Sequence, residues 1–421
     1  MNGLRNLVDK IKPTFEKGGK LGFLHSTFDA FETFLFVPNT VTKRGTHVRD
    51  CVDLKRVMIM VVLALVPAML FGIWNTGYQH NLAFGLNWGF TDIVLYGLAK
   101  VLPLYVVAYL VGLAIEFVSA QIQGHEVNEG YLVSGMLIPL IVPVDVPLWM
   151  LAIAVAFAVI IGKEVFGGTG MNIWNPALLT RAFLFFSYPS KMSGDTVWTG
   201  GVARFMEEGT AYQCGNGLVD GFSGATPLAN ATLENLEPRF LDMVIGTIPG
   251  SVGETSVIAI LLGAALLIWT GVASWKIMAS SVLGGLAIGY LGYALGATDL
   301  PGYYQLVMGG FLFGTVFMAT DPVTSAQTEC GKWIYGFLVG ALAVTVRLWN
   351  PGYPEGMMLA ILLMNTFAPL IDHYVIEGSI KRRAKKQKPP TLCLACCQSV
   401  NLRSTSTVTV CTRSRNTVES R

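Results

Sequence analysis

The stretch WNPALLTRAFLFFSY, residues 174–188, decides how the chain is folded, because its first three letters return at residues 349–351. At both places Trp-Asn-Pro opens an apolar run, and Asn followed by Pro is typical of a helix start. The segments ahead correspond as well. Residues 130–143 parallel residues 309–322, each a glycine-marked apolar run that ends near an Asp-Pro or Pro-Val-Asp turn. The sequence therefore predicts two related halves.

Ten apolar runs of membrane-spanning length, or slightly shorter, follow the polar residues 1–55. They lie at 57–74, 93–116, 131–142, 148–161, 177–188, 256–270, 277–295, 306–320, 333–348 and 357–374. A full crossing needs about 20 residues. Runs 131–142 and 177–188 are too short, as is 306–320 if it breaks at its glycines. Short, interrupted segments in corresponding halves predict broken helices around a binding site.

The predicted fold class is thus an all-α polytopic membrane protein with about ten transmembrane helices. Five crossings per repeat is an odd number, so the second repeat must be inverted relative to the first. The predicted organisation is a cytoplasmic N-terminal segment (1–55), a first five-helix repeat (56–188), a loop (189–254), a second five-helix repeat (255–376) and a basic end with a tail (377–421).

Composition supports a membrane protein. The 421 residues are 52% hydrophobic and 13% charged, with a mean hydropathy of +0.54, whereas a soluble protein carries roughly 25% charged residues. The first 50 residues show no cleavable signal peptide. Basic and aromatic residues are not interleaved in a way that indicates nucleic acid, so we expect no nucleic-acid partner.

The distribution of Lys and Arg predicts the orientation. Ten basic residues precede the first run, and Lys381-Arg382-Arg383 with Lys385-Lys386 follow the last. The loop 189–254 holds three basic residues against eight acidic ones. Both termini should therefore be cytoplasmic, and the loop should lie on the outer face.

Seven cysteines, four of them in the last 30 residues, do not form a disulfide framework. The alternative that this chain supplies one cysteine to an iron–sulfur cluster shared with another chain stays open. From about residue 389 the chain is rich in Ser, Thr, Arg and Cys without apolar periodicity. A disordered or non-native tail is expected there, with a thiol metal site or a palmitoylation cluster at 393–397 as the lesser alternatives.

The loop contains DGFSGAT, residues 220–226. Small neighbours leave the Thr226 hydroxyl accessible, and two glycines permit backbone angles that other residues resist. An ordinary surface turn is the alternative, because Asp-Gly and Ser-Gly are turn dipeptides. The pattern resembles the site at which a flavin transferase esterifies FMN, through its phosphate, onto a threonine.

Ionisable side chains inside or at the ends of apolar runs are functional candidates. They are Lys100, Glu116, Arg181, Asp321, Arg347 and Asp372. The carboxylates suit a small hard cation, or they form buried pairs with Arg181 or Arg347; the sequence leaves both open. Asp321 stands where a helix should break and free carbonyls are available, whereas Asp372 is equally well a solvated interfacial acid.

A glycine-rich turn at 162–172 leads into the fifth run, but it lacks the spacing of a nucleotide-binding P-loop. Asn172 and Asn175 flank the start of that run. Their amides both donate and accept hydrogen bonds, which suits the uracil-like edge of an isoalloxazine ring. Equally, Asn175 caps the helix that begins at Pro176.

With these residues in view, the chain resembles the B subunits (NqrB) of the sodium-pumping NADH:quinone oxidoreductases over about residues 1–385. The matching stretches are VTKRGTHVRDCVDLKR (41–56), HEVNEG (125–130), GKEVFGGTGMNIWNPALLTRAFLFF (162–186), DGFSGAT (220–226), FMATDPV (317–323) and NPGYPEGMMLAIL (350–362).

The resemblance implies a covalent FMN on Thr226, with Asp220, Ser223 and Gly224 belonging to the same binding motif. It also implies a non-covalent riboflavin near Asn172 and Asn175. It also implies that electrons from NADH pass to ubiquinone while sodium is exported. Glu116 matches an acid implicated in sodium uptake, and Asp321 and Asp372 match acids that influence sodium handling. Gly112 matches a glycine near the quinone site, but Leu113 replaces the glycine expected next to it.

The resemblance further implies a six-subunit complex in the bacterial inner membrane, with an FMN-bearing periplasmic subunit, an NADH-oxidising flavoprotein and maturation by a flavin transferase. The D subunit of the Rnf complex, which works between ferredoxin and NAD, is the nearest alternative. The long N-terminal segment favours the quinone-reducing family. A plain secondary transporter or channel without redox chemistry is the alternative from another class.

Overall fold

The computed structural model describes residues 54–123, 130–194, 197–202, 218–219, 224–228, 240–350 and 356–387, with a few isolated positions before residue 47. This part of the chain is predominantly helical and contains no strand. The chain divides into two compact units, Met1–His373 and Tyr374–Arg421.

Each of the ten predicted runs forms helix, which confirms the fold class. The helices are α1 (Leu54–Ala83), α2 (Phe90–Gln123), α3 (Tyr131–Ile141), α4 (Leu148–Gly162), α5 (Pro176–Ser187), α6 (Val257–Trp269), α7 (Trp275–Ala294), α8 (Tyr304–Val307 and Phe311–Phe313, continued by the π-helical turn Gly314–Met318), α9 (Glu329–Trp349) and α10 (Gly356–Gln387). Two short helices, Pro189–Met192 and Phe240–Ile245, lie between α5 and α6.

Among the described helices, α1, α2, α7, α9 and α10 are long and apolar enough to cross a membrane, and so is α4 when the helical turn that continues it to Phe166 is included. As predicted, α3 and α5 are too short. Helix α6 is shorter than expected, because the run 256–270 forms a helix of only 13 residues. The inverted relation between the two halves stays a prediction.

Helix α8 breaks at its glycines, as the sequence predicts. Gly309 adopts φ +62°, a left-handed angle that costs other residues strain, and the preceding Met308 is extended. The chain then resumes as Phe311–Phe313 and widens into the π-helical turn Gly314–Met318. Such turns are uncommon and are frequent at functional sites.

Small residues bring the long helices into backbone contact. A Cβ added at Gly340 of α9 would lie 1.9 Å from the carbonyl oxygen of Ser281 on α7, and one added at Gly284 would lie 2.2 Å from that of Phe337. Between helices in lipid, such close approach supplies the packing that the hydrophobic effect cannot. Helices α7 and α9 are therefore a tightly fitted pair.

The short helices α3 and α8 are enclosed by the others. Ile138 and Leu140 of α3, and Phe311 and Phe313 of α8, are fully buried. The two segments meet at Gly253, whose N–H donates to the Leu140 carbonyl at 2.8 Å and whose added Cβ would lie 3.0 Å from the Phe313 ring. Corresponding interrupted segments of the two halves are thus neighbours.

In the second unit, the described residues continue α10 to Gln387. An exposed ion pair of 2.7 Å joins Lys381 to Glu377 one turn earlier.

Candidate functional site

A cavity lies among helix ends of the first unit, with about 730 Å³ of space free of atoms, counting the part that opens outward. Its walls come from the starts of α1, α3 and α5, the ends of α6 and α8, and the turns that follow α4 and α8. The lining residues are Val57, Met58, Val61, Gly130, Val133, Ser134, Leu137, Lys163, Thr169, Asn172, Asn175, Pro176, Leu267, Val272, Ala273, Phe317, Thr320, Asp321, Pro322 and Val323.

The cavity thus brings the starts of α1, α3 and α5 together with the ends of α6 and α8. The walls are mostly apolar with a few polar groups, the usual character of a cofactor or small-molecule site.

Asn175 is the N-cap of α5. Its Oδ1 accepts a hydrogen bond from Ala177 N at 3.0 Å, with Pro176 at the first helical position, so the capping interpretation is confirmed. Its Nδ2 donates to Asp321 Oδ2 at 3.5 Å. The amide of Asn175 thus joins the start of α5 to the turn after α8, from one half of the chain to the other.

Asp321 is held in the turn that follows α8. It accepts hydrogen bonds from Val323 N at 3.2 Å and from Thr324 Oγ1 at 3.0 Å. Together with the Asn175 amide, these donors fix the orientation of the carboxyl group. The acid is therefore positioned as part of the cavity wall.

Asn172 faces the same cavity, and its Nδ2 donates to the Trp174 carbonyl at 3.1 Å. The structure thus gathers Asn172, Asn175 and Asp321 around one space. The two asparagines are close in sequence, but no sequence pattern brings Asp321 to them.

Glu116 forms a buried ion pair with Lys163, and each side chain is only 4% exposed. Glu116 Oε1 contacts Lys163 Nζ, while Glu116 Oε2 is buried without a hydrogen-bond partner. The Lys163 ammonium also lies 6.0 Å from the centre of the Tyr131 ring. Glu116 therefore pairs with Lys163, and with neither Arg181 nor Arg347, the two arginines that the sequence suggests as partners.

Gly112 lies one helical turn before Glu116 and is packed against the Tyr131 ring. A Cβ there would lie 1.9 Å from Tyr131 Cζ, and the Tyr131 hydroxyl donates to the Ala108 carbonyl at 2.7 Å. Gly112 is not among the cavity-lining residues. It allows α2 and the start of α3 to approach each other.

The arginines have other partners. Arg181 Nη1 lies 2.7 Å from Glu254 Oε1, both side chains being 7% exposed, and Ser251 Oγ donates to Glu254 Oε2 at 2.5 Å. Arg347 Nη1 donates to the carbonyl oxygen of Gln305 at 2.5 Å. Glu254, which falls at the end of the predicted polar loop, is therefore an internal ion-pair partner.

Asp372 joins α10 to the start of α9. Its Oδ2 accepts from Gln327 N at 2.7 Å, and its Oδ1 accepts from Thr328 N at 3.0 Å and Thr328 Oγ1 at 2.6 Å. A carboxylate at a helix N-terminus satisfies backbone N–H groups that have no partner within the helix. Asp372 is thus a half-exposed acid that anchors the start of α9.

The three candidate acids do not form one metal centre. Among the residues that the structure describes, no group of three or more His, Cys, Asp or Glu side chains is close enough to hold a metal ion. Glu116 and Asp321 lie beside the cavity, the former through Lys163, and Asp372 lies at the start of α9.

The described part of the DGFSGAT stretch is Gly224, Ala225 and Thr226, whereas Asp220 and Ser223 lie outside the described residues. Thr226 is half-buried and not helical. Two residues later, Leu228 packs with Leu300 and Met308 and lies beside Gly309, the residue at which α8 breaks.

The same loop is attached to the end of α1 on its other side. Val219 N donates to the Ala83 carbonyl at 3.0 Å, and Ala83 is the last residue of α1. The cavity, by contrast, contains Val57 and Met58 near the start of α1. Val57 and Ala83 are 26 residues apart along α1, so at 1.5 Å per residue about 39 Å of helix separates the two regions.

Three charged residues of these sites, Lys163, Glu254 and Asp145, are not among those that the sequence singles out. Asp145 lies 3.0 Å from Lys100, which is one of the predicted candidates. All three stand in short turns beside apolar runs. A charged residue in such a turn is an available signal, but sequence distance does not reveal which spans the turn will face.

Comparison with known proteins places this geometry in context. Residues 41–381 match the model of the NQR2, RnfD, RnfE family. The chain is 45% identical to the B subunit of the Na(+)-translocating NADH-quinone reductase of Pseudomonas paraeruginosa and 46% identical to that of Ectopseudomonas mendocina, in each case over 90% of this chain and 98% of the relative. The corresponding protein of Chromohalobacter salexigens is 43% identical over 91% of this chain and 97% of the relative.

Proposed function

Because the chain belongs to the NQR2, RnfD, RnfE family, we propose that it is the B subunit of a Na⁺-translocating NADH:ubiquinone oxidoreductase. In this role it receives electrons that originate from NADH, passes them to ubiquinone and couples the transfer to sodium export. The observation that carries the proposal is the arrangement of two regions at opposite ends of α1, a threonine segment at one end and, at the other, a cavity lined by Asn172, Asn175 and Asp321.

Thr226 carries the first flavin, as an FMN phosphoester. The residues present fit this group: the threonine is half-buried, lies outside any helix and is held between the end of α1 and the break in α8. Asp220, Ser223 and Gly224 complete the motif that a flavin transferase would read. The chain's own contribution is the Thr226 hydroxyl oxygen.

The cavity holds the second flavin, a non-covalent riboflavin. Its walls are mostly apolar with a few polar side chains, the lining that cofactor sites usually have. Asn172 and Asn175 stand in its wall. Both the oxygen and the nitrogen of the Asn175 amide already make hydrogen bonds within the chain, whereas for Asn172 it is the nitrogen that does so, so Asn172 is the better candidate to bind a ring edge. When bound, the flavins supply one- and two-electron transfer, and the apolar walls exclude water from the site.

Two of the acids suit a sodium pathway that passes the cavity. Asp321 belongs to the cavity wall, and Glu116 is connected to it through Lys163. Asp372 influences sodium handling indirectly, because it holds the start of α9. Gly112 influences the quinone region by allowing Tyr131 to pack, and Leu113 beside it gives that region its own shape.

The long apolar helices make this an integral membrane protein, and we place it in the bacterial inner membrane with both termini cytoplasmic. The threonine segment then faces the periplasm, where an FMN-bearing partner subunit delivers electrons, and the cavity faces the cytoplasmic side. The NADH-oxidising flavoprotein and the remaining subunits of a six-subunit complex are its other partners.

The first experiment is in-gel flavin fluorescence of the chain co-expressed with the flavin transferase. The wild type should give a fluorescent band after denaturation, and Thr226→Val, which keeps the shape but lacks the hydroxyl, should lose it entirely. Thr199→Val is the matched control, since it removes a buried hydroxyl elsewhere and should keep the band. A colourless wild type would contradict the flavin assignment and favour a transporter without redox chemistry.

The family model also covers RnfD, so the electron acceptor must be tested separately. Sodium-stimulated reduction of ubiquinone by NADH in the assembled complex is the expected result. Electron exchange between ferredoxin and NAD, without quinone reduction, would assign the chain to the Rnf branch.

A further inference from the structure

The Lys163–Glu116 pair has a geometry that a purely structural salt bridge does not need. Lys163 lies at the end of α4, immediately after Gly162, and lines the cavity, while Glu116 lies behind it on α2. The ammonium therefore stands between the cavity and a carboxylate that has no other positive partner among the described residues.

Glu116 is only half satisfied. Its Oε1 meets Lys163, but its Oε2 is buried without a hydrogen bond, and leaving a buried charged acceptor unsatisfied is costly. An oxygen of this kind is a hard ligand for a small cation. The structure thus shows a carboxylate that has capacity for a cation and already holds one, the lysine ammonium.

The lysine ammonium and a sodium ion are alternative partners of Glu116, because both carry a positive charge. A sodium ion placed on Glu116 beside the lysine ammonium would be repelled by it, and this repulsion is strong in a region of low dielectric. The lysine stem is long and flexible, so its ammonium can leave Glu116 and remain beside the polar groups of the cavity wall, such as Asn172 and Asp321.

We propose that Lys163 is the resident counter-cation of Glu116, and that its ammonium must move toward the cavity before sodium can bind Glu116. Lys163 is thus a positioning residue that links occupancy of the cavity to the affinity of Glu116 for sodium. A negative charge arriving in the cavity attracts the ammonium and frees the carboxylate. The inference rests on the proposed function for its sodium, and on the contacts of this chain for the identity of the gate.

The test is a sodium titration of thermal stability, on the purified full-length chain in detergent, with sodium plus potassium held constant so that screening does not change. The sodium concentration that gives half of the stabilisation should follow the order Lys163→Met, wild type, Lys163→Arg. If the carboxylate is free of lysine in about a tenth of the molecules, removing the ammonium lowers this concentration about tenfold. Arginine should raise it, because its guanidinium is always charged and holds a carboxylate through two hydrogen bonds.

Two further variants separate this gating from a structural role. Lys163→Met combined with Glu116→Gln removes both charges and should abolish the sodium effect while the protein remains folded. Lys100→Met removes the lysine of the 3.0 Å pair with Asp145 and should leave the wild-type midpoint. Unchanged midpoints in both Lys163→Met and Lys163→Arg would overturn the proposal, as would a sodium effect that survives in the double variant.

The arginine variant keeps the pair's charge and tests the proposal even if Lys163→Met does not accumulate. Flavin fluorescence is recorded on the same samples. Absence of the fluorescent band in the wild type would reject the proposed redox function, whereas the order of the sodium midpoints decides the role of Lys163 without any activity measurement.

Discussion

At the residue scale, several of the candidate side chains are defined by partners far away in sequence. Glu254 binds Arg181 across the bundle, Asp372 holds two backbone N–H groups at the start of α9, and Asn175 reaches Asp321. In a membrane interior each unpaired polar group is costly. For these side chains, the distant partners explain their positions better than the sequence does.

Gly112→Ala should destabilise the protein by about 1–3 kcal/mol, the usual cost of overpacking. The added methyl would overlap the Tyr131 ring and displace the hydroxyl from Ala108. The loss should appear as a lower thermal midpoint in detergent. Combining Gly112→Ala with Tyr131→Leu, which removes the overlapping ring, should recover part of the lost stability. A stability equal to wild type for Gly112→Ala alone would mean that the ring has room to move.

Asp372→Ala should lower the stability by about 1–3 kcal/mol, because it leaves donors at the start of α9 without an acceptor. Asp372→Asn keeps one acceptor oxygen and should lose less. The measurement is thermal unfolding in sodium and in potassium at equal ionic strength. Since the role is to anchor a helix, the loss should be the same in both salts. A loss of stability that sodium corrects and potassium does not would instead indicate that Asp372 binds sodium directly.

At the element scale, the pairing of α7 with α9 depends on glycine. The closest approaches are at Gly340 and Gly284, where the neighbouring helix presents backbone carbonyls. Helix α9 also carries Arg347 and is anchored at its start by Asp372. Through Arg347, which donates to the Gln305 carbonyl and lies beside Gly309, α9 contacts the region where α8 breaks.

Gly340→Leu should force α7 and α9 apart and destabilise the protein by about 3 kcal/mol or more, at the upper end of overpacking costs. Gly378→Ala is the matched control, because a Cβ at Gly378 of α10 meets nothing within 4 Å and alanine favours the helix. The two variants are compared by the yield and the thermal midpoint of the purified chain. Equal yields and thermal midpoints for the two variants would show that the close contact between α7 and α9 does not limit the stability of the protein.

At the scale of the whole molecule, the cavity and the threonine segment are assembled from both halves of the chain. The cavity takes α1, α3 and α5 from the first half and α6 and α8 from the second. The threonine segment is attached to α1 through Val219 and to the region of α8 through Leu228. Neither region is complete within one repeat, so the halves are expected to function only together.

Deleting residues 389–421 should leave the flavin band and the thermal midpoint unchanged. The family match ends at residue 381, and the relatives are matched over 98% of their length by 90% of this chain, so the tail lies beyond the common part. A deletion that begins at residue 357 removes α10 with Asp372 and should abolish folding. A loss of the flavin band on removing the tail alone would contradict this view.

Most of the fold was predictable from the sequence, because long apolar runs become helices wherever no water is available to bind the backbone. The ten helices, the break at Gly309, the N-cap at Asn175 and the inclusion of Thr226 in a loop all follow from local patterns. The predicted boundaries were too short for α1, α2 and α10, since helices extend beyond the apolar run into polar surroundings.

The sequence by itself determined the elements, their order and the residue types suited to flavin and cation chemistry. Only the tertiary structure decided the pairs: Glu116 with Lys163, Arg181 with Glu254, Lys100 with Asp145 and Asp321 with Asn175. The physical reason is that helix formation depends on neighbours a few residues apart, whereas an ion pair in a low-dielectric interior depends on which distant helix ends meet. That meeting is fixed by glycine contacts and helix breaks acting across the whole bundle.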